Sequence, residues 1–322
     1  MNANAQVAKI PLGARLRALP PVVWMLLVLA LVFSITTPQY FALANLRNIL
    51  VQSSALMILS FAQTLIVLTQ GTDLSLGAQA SLVTVLWVSL AKAGVNIYLA
   101  AALAVCATII VGMLNGLLVS KGKIPPFIAT FGMQNVVSSI ALLTTAGSSI
   151  YFSHYIFQFV TETRFLFIPL PVWIAALMFA LTWLLLYRTK FGVNIFGLGG
   201  NPEALVLAGV NTVKSYVKVY AYAGFLAGVC GLITACRVES GQPVVGMGWE
   251  FEAVAATLLG GTSLREGRGG ITGTIAGVLL LTVLRNGLNV SGISAMYQNA
   301  IIGVIVMLAI VIDAMVRRVR GN

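Results

Sequence analysis

The sequence predicts an all-α, polytopic membrane protein of about ten transmembrane helices, with both termini in the cytoplasm. Three observations carry this. The chain of 322 residues is 59% hydrophobic and 8% charged, where soluble domains run about 45–50% apolar and about 25% charged. Its mean hydropathy is +0.98, more apolar surface than a soluble fold of this length could hide. Its Lys and Arg residues gather on one side of the spans that the apolar segments define.

A helix needs about 20 residues to cross ~30 Å of hydrocarbon. Segments near 22–37, 48–69, 74–91, 95–119, 127–146, 172–187, 213–236, 251–262, 271–289 and 295–315 are the candidates. The first is short for a span. The eighth is shorter still, and either begins earlier or is a broken helix. With the N-terminus inside, the inner segments hold Lys9, Arg15, Arg17, Lys121, Lys123, Arg188, Lys190, Lys214, Lys218, Arg265, Arg268, Arg317, Arg318 and Arg320. The outer side receives Arg47, Lys92, Arg164, Arg237 and Arg285. Losing one span would scramble that bias. Lys9, Arg15 and Arg17 followed by an apolar run from Val22 resemble a signal peptide, but no small-residue cleavage site follows, so the run reads as a retained first span. The chain then divides into a cytoplasmic tail (1–21), one transmembrane domain (22–316) with a cytoplasmic loop at 188–214, and a second tail (317–322).

The net charge is +11. No basic stripe with interleaved aromatics accompanies it, so nucleic acid is excluded as a partner and the charge reads as a topology signal facing membrane lipid. Cys106, Cys230 and Cys236 lie in apolar runs without a C-x-x-C, and His154, beside Tyr151 and Tyr155, is the one histidine, expected to be solvated in an outer loop. A metal site, a disulfide framework and a catalytic constellation are all unsupported. "GLGGNP" lacks the last glycine of a dinucleotide fingerprint, and no phosphate-binding G-x-x-x-x-G-K-[ST] occurs, so the chain has no ATPase of its own. Glycines four apart (Gly112 and Gly116; Gly224 and Gly228; Gly269, Gly273 and Gly277) predict close helix packing within one subunit. A faint echo links "LTQGTDLSLG" (68–77) with "LLGGTSLREG" (258–267).

The stretch "GLGGNPEALVLAGVNTVK" (197–214) interrupts the apolar pattern. "GLGG" reads as a flexible approach. Asn201 is an N-cap, Pro202 suits the first helical position, Glu203 complements the dipole, and Gly209 supplies a left-handed cap. The helix between them, with Ala204, Leu205, Val206 and Leu207, is about two turns long. It is too short to persist alone in water. The residues alone leave open whether it docks on a second protein or lies at the interface without a partner. Asp73 is either the N-cap of a helix starting near Leu74, with Ser75 helping, or part of a hinge or gate with Gly71 and Gly77.

Several segments in order resemble the permease subunit of ribose-type sugar ABC importers: "GTDLSLGA" (71–78), "NGLLVSKGKIPPFIATFGM" (115–133), "GLGGNPEALVLAGVN" (197–211), "SGQPVVGMGWEFEAVAATLLGGTSL" (240–264) and "NGLNVSGIS" (286–294). The likeness runs from about residue 38 to the C-terminus. Gln70–Asp73 and Arg265–Glu266 depart from the family's usual residues at their turns. The resemblance implies a permease subunit of an ATP-driven importer for a monosaccharide or related polyol in the bacterial inner membrane. It further implies a second permease subunit, identical or not, a periplasmic sugar-binding protein, and a cytoplasmic ABC ATPase subunit that binds the ATP and Mg. No cofactor is expected in this chain. Asn201 to Gly209 would be the coupling helix. Gln52, Gln63, Thr130, Gln134 and Asn135 are candidates for the sugar path, interhelical hydrogen bonding being the other use of such groups. A stand-alone secondary transporter is the alternative. It would want an ionisable group buried at mid-membrane, and the sequence places almost none there. A membrane enzyme acting on lipid-linked sugar is a further rival, without a polar catalytic cluster to support it.

Overall fold

The computed structural model describes residues 21–37, 40–264, 266–294, 296–298, 300–305, 307, 308 and 311. Lys9, Arg15, Arg17, Arg265, Arg317, Arg318 and Arg320, both expected tails save residue 21, and part of the tenth expected span lie outside these residues. The first half is helical throughout: α1 (Pro21–Thr36), α2 (Leu43–Val67), α3 (Leu76–Lys92), α4 (Ile97–Ser120) and α5 (Pro126–Thr145). A small connecting structure follows, with β1 (Ile150–Tyr151), α6 (Tyr155–Glu162), β2 (Arg164–Phe165) and β3 (Ile168–Pro169). Then come α7 (Leu170–Arg188), α8 (Lys190–Gly200), α9 (Pro202–Leu207), α10 (Thr212–Val238), β4 (Ser240–Gly241), α11 (Trp249–Leu259) and α12 (Ile271–Val290).

Among the described residues six helices are long and apolar enough to cross a membrane: α2, α4, α5, α7, α10 and α12. Helices α1 and α3 are apolar and shorter, at 16 and 17 residues. Helix α11 has 11 residues, about 16 Å, half of what a span needs. The expected eighth span is therefore broken, as its short apolar run suggested.

Burial sorts the helices into two shells. The most apolar windows of α2 and α10 are 78% and 72% buried, those of α4, α5 and α7 only 22–28%. Helices α2 and α10 form the axis of the bundle, around a core that includes Phe61, Leu65, Tyr220 and Ala227. Outer faces such as Leu99, Leu103 and Ile110 on α4 and Phe127, Ile128 and Phe131 on α5 are bare. Lipid is as apolar as leucine, so such faces carry no penalty in a multi-pass membrane protein.

With no hydrophobic drive between helices, close backbone approach does the packing. A Cβ built on Gly112 would stand 2.1 Å from the Tyr220 carbonyl oxygen of α10, and one on Gly224 would stand 2.2 Å from that of Thr108 on α4. Gly277 meets the Ala256 carbonyl of α11 at 2.0 Å in the same way. The four-residue glycine spacing serves packing inside one subunit.

Three local expectations change. "GLGG" is not slack: it is the last turn of α8, held because Gly199 lies against the backbones of Leu68 and Gly267. His154 is not merely solvated: its Nδ1 accepts from the Ile156 amide as the N-cap of α6. Asp73 does not cap a helix at Leu74, because α3 begins at Leu76 and the aspartate instead folds a turn ahead of it.

Two alanine substitutions test the glycine argument. Gly112→Ala is expected to lower stability by roughly 1–3 kcal/mol, because the obstructing atom is backbone and cannot swing away. Gly132→Ala, with nothing within 4 Å of its Cβ, is expected to be neutral or stabilising. Thermal unfolding of both variants in the same detergent decides it.

Candidate functional site

The connection from α7 to α10 is a hairpin of two short helices. Thr189 starts α8 by accepting from the Phe191 amide at 3.1 Å. Asn201 starts α9, its Oδ1 accepting from the Ala204 amide at 3.0 Å, with Pro202 in the first turn. Gly209 closes it at φ +78, while the Val210 amide reaches back to the Leu205 carbonyl at 2.9 Å. Leu205 packs over Gly197 of α8. No residue of α9 is buried. Leu207 is 90% exposed and Val206 57%, so the tip presents bare apolar surface on a helix supported mainly by α8.

Helix α8 in turn rests on two turns of the bundle. The Gln70 side-chain amide donates to the Gly199 carbonyl at 2.6 Å. Gly267, at φ +60, meets Gly199 backbone to backbone, where a Cβ on either residue would collide. These are the α2–α3 turn and the α11–α12 turn, the two segments that echo each other in sequence.

Asp73 lies in the first of those turns, fully buried. Its Oδ1 accepts from the Ser75 amide at 2.8 Å and the Ser75 hydroxyl at 2.6 Å. Its Oδ2 accepts from Asn115 of α4 at 3.3 Å. Burial pushes the carboxyl above the usual carboxylate range, and the bonds from Ser75 and Asn115 oppose that shift. Thr130 of α5 fastens the same turn, accepting from the Leu74 amide at 3.1 Å. Gly71 and Gly77 have no left-handed backbone. They are small because Tyr220 Oη and Glu250 Oε2 crowd them, at 3.0 Å and 2.2 Å from a built Cβ.

After α10 the chain runs along α3 as a two-residue strand and a series of turns before α11 begins. Ser240 and Gly241 pair antiparallel with Tyr151 and Ile150. The Gln242 amide donates to Thr84 Oγ1 at 2.9 Å, and the Gly246 amide to Ser81 Oγ at 2.9 Å. Gly248, at φ +89, turns the chain into α11. Glu250 is 1% exposed, its Oε1 held by the Gln134 amide at 2.9 Å and the Gly248 amide at 3.2 Å. It sits over Gly77, about 22 Å along α3 from Lys92 at the opposite end. Glu250 and Glu252 stand at the start of the eighth apolar segment, and the non-helical descent carries them into the bundle, so the expected scarcity of buried acids does not hold.

Beside the start of α11 a cavity of about 280 Å³ opens, lined by Gln52 of α2, Arg237 of α10, Trp249 and Glu252 of α11, and Arg285 and Asn289 of α12. Arg285 Nη2 and Glu252 Oε1 form an ion pair across it. Behind the pair lies a second cavity of about 310 Å³, lined in part by Met247, Phe251 and Ile302.

Of the path residues expected from sequence, only Gln52 lines the polar cavity. Gln63 lies about three turns further along the same face of α2, fully buried, with neither amide atom bonded. Thr130 and Gln134 hold Asp73's turn and Glu250. Asn135 bonds back to the Phe131 carbonyl at 2.8 Å on an exposed face. Sequence reasoning missed Arg237, Trp249, Glu252, Arg285 and Asn289. Two signals could have found them: arginines on the outer side against the charge bias, and an apolar segment too short to span.

Replacing Asp73 tests the turn. Asp73→Ala leaves the Ser75 amide and hydroxyl without their acceptor, while Asn115 keeps its bond to Ser75 Oγ, and is expected to cost about 1–3 kcal/mol. Asp73→Asn keeps one acceptor oxygen and is expected to lose less. Unfolding midpoints in detergent for the two variants check the ranking.

A family model described as branched-chain amino acid transport system / permease component matches residues 45–310. The ribose import permease protein RbsC of Escherichia coli is 38% identical over 292 residues, covering 89% of this chain and 91% of that protein. Its counterpart of the same name in Bacillus subtilis is 38% identical over 290 residues, covering 89% and 90%. The D-allose transport system permease protein AlsC of Escherichia coli is 30% identical over 297 residues, covering 92% and 91%. No solved structure matches the chain.

Proposed function

The chain belongs to the family of transport-system permease components, and from that premise we propose that it is the membrane-spanning subunit of an ATP-driven importer for a monosaccharide or related polyol. It forms the translocation pathway of a bacterial inner membrane and performs no chemistry. Its fold is about ten spans with both termini in the cytoplasm, by the charge bias of its loops. A second permease subunit, a periplasmic sugar-binding protein and a cytoplasmic ABC ATPase, which binds ATP and Mg, complete the assembly. Relatives named for ribose, galactose and allose support a sugar as cargo.

The observation that carries the ATPase partnership is α9. A capped helix without a buried residue, whose apolar tip Val206 and Leu207 is bare, is built to enter a groove on another protein. The stroke it receives passes through α8 to Gly199, and from there to the turns at Gln70 and Gly267. Those turns join α2 to α3 and α11 to α12, so one displacement tilts both hairpins together. Asp73 ties the first turn to α4 and Thr130 ties it to α5, and this turn, with Gly71 and Gly77, serves as the hinge. Gln52 faces the pathway from α2, with Gln63 deeper in the core on the same face of that helix. Thr130 and Gln134 of α5 brace the Asp73 turn and Glu250, and Asn135 lies on an exposed face of the same helix.

Two kinds of variant separate docking from transmission. Leu207→Asp puts a charge on the docking tip and is expected to weaken ATPase capture at least about tenfold, in the range of an interface hot spot. Glu203→Arg and Leu205→Pro are expected to act in the same direction. Gly199→Ala leaves the tip intact and is expected to keep ATPase capture while sugar uptake falls. Pull-down with mass spectrometry from the native cell, beside uptake of labelled sugar, reads both. Recovery of the chain alone, crosslinker present, with uptake driven by an ion gradient in liposomes, would overturn this reading in favour of a secondary transporter.

A further inference from the structure

We propose that the cavity beside the start of α11 is a hydroxyl-recognition site belonging to the permease chain itself, shaped for one monosaccharide ring. The proposal rests on the reading of the chain as a sugar importer's subunit and names the contacts which that reading leaves open. A sugar needs one flat apolar surface and several donors and acceptors set around it. The cavity supplies both: the Trp249 indole beside the Arg237 guanidinium and the amides of Gln52 and Asn289. Its volume, about 280 Å³, lies near the lower limit of roughly 300 Å³ for small-molecule sites.

Unpartnered polar atoms such as those of Gln63 and Ser60 occur singly elsewhere in the bundle; here several line one cavity. Ser53, Ser54, Thr64, Thr108, Thr182 and Thr234 return their hydroxyls to carbonyls of their own helices. Among the described residues, the side-chain polar ends of Gln52, Arg237, Trp249 and Asn289 form no hydrogen bond or ion pair. Thr282 Oγ1, on the same wall, is buried and also unpartnered. Four free polar ends and one orphan hydroxyl converge on one space, where groups serving as interhelical glue would already be bonded to each other.

The charged pair sets the class of ligand. Glu252 and Arg285 bind one another, so no free carboxylate on this wall awaits an amino group. An aliphatic side chain would suit the second cavity, between Met247 and Phe251, on the far side of that pair. The polar cavity therefore favours a neutral, hydroxyl-rich ring over a branched-chain amino acid, although the matching family model is described by the latter.

The test uses the full chain in lipid nanodiscs without other subunits. D-ribose, D-galactose, D-allose and L-leucine are titrated in turn, followed by tryptophan fluorescence and by saturation-transfer NMR of the ligand. At least one sugar is expected to change the fluorescence saturably. Trp249→Phe is expected to abolish that change while the NMR signal persists. Arg237→Gln and Asn289→Ala are expected to weaken sugar binding at least tenfold, with unfolding midpoints unchanged. Absence of a sugar signal in the wild type, undiminished binding in both variants, or preference for L-leucine would each overturn the proposal. Labelled-sugar uptake by the whole assembly is measured alongside. Uptake that continues without binding here removes this site alone, whereas loss of uptake as well removes the importer reading with it.

Discussion

Inside hydrocarbon every backbone amide and carbonyl needs a partner from the protein, and this constraint shapes the molecule. Helices satisfy it by themselves. The non-helical run from Ser240 to Gly248 does not, and the bundle supplies what is missing. Ser81 and Thr84, hydroxyls on one face of α3, accept the amides of Gly246 and Gln242, and Ser240 and Gly241 pair with the outer loop. Only because α3 offers those groups can the chain descend unwound and start α11 deep in the bundle. That late start brings Trp249, Glu250 and Glu252 inside. The polar cavity is thus a consequence of how one segment's hydrogen bonds are satisfied.

The same economy of contact appears where helices meet. Gly112, Gly224 and Gly277 place backbone on backbone, giving interfaces with few side chains to rearrange. Such interfaces slide or tilt as units more readily than they deform. Where α8 meets the turns at Leu68 and Gly267 the contact is again backbone to backbone through Gly199. A side chain there would hold the arm away from the bundle. The arm is consequently stiff from its apolar tip to the two turns it touches.

The helical architecture was legible because lipid imposes length and composition on every span, and the centres of α2, α4, α5, α7, α10 and α12 stand out as apolar runs. The caps of α9 were legible for a different reason: Asn201, Pro202 and Gly209 act on their own neighbours, so their geometry is local. The site was not legible to the same degree. Gln52 belongs to the cavity and Gln63 is sealed in the core, yet they share one face of one helix, and only the descent of 240–248 decides which is reached. The choice between cap and hinge at Asp73 stayed open in the sequence for a similar reason. Its partner Asn115 comes from another helix, a pairing that no local pattern announces.

Charge placement gives the strongest link between sequence rule and site. Lys92 and Arg164, expected on the outer side, are exposed at the ends of their elements. Arg237 and Arg285 break the inside bias too, but they line a cavity within the bundle, where a cation is costly unless something compensates it. For Arg285 the compensation is Glu252. For Arg237 the described chain provides no ion-pair partner. A sequence keeps local choices consistent with its fold except where function requires otherwise. The two arginines that a topology rule would remove line one cavity with Trp249 and Glu252, and the exception coincides with the polar cavity of the bundle.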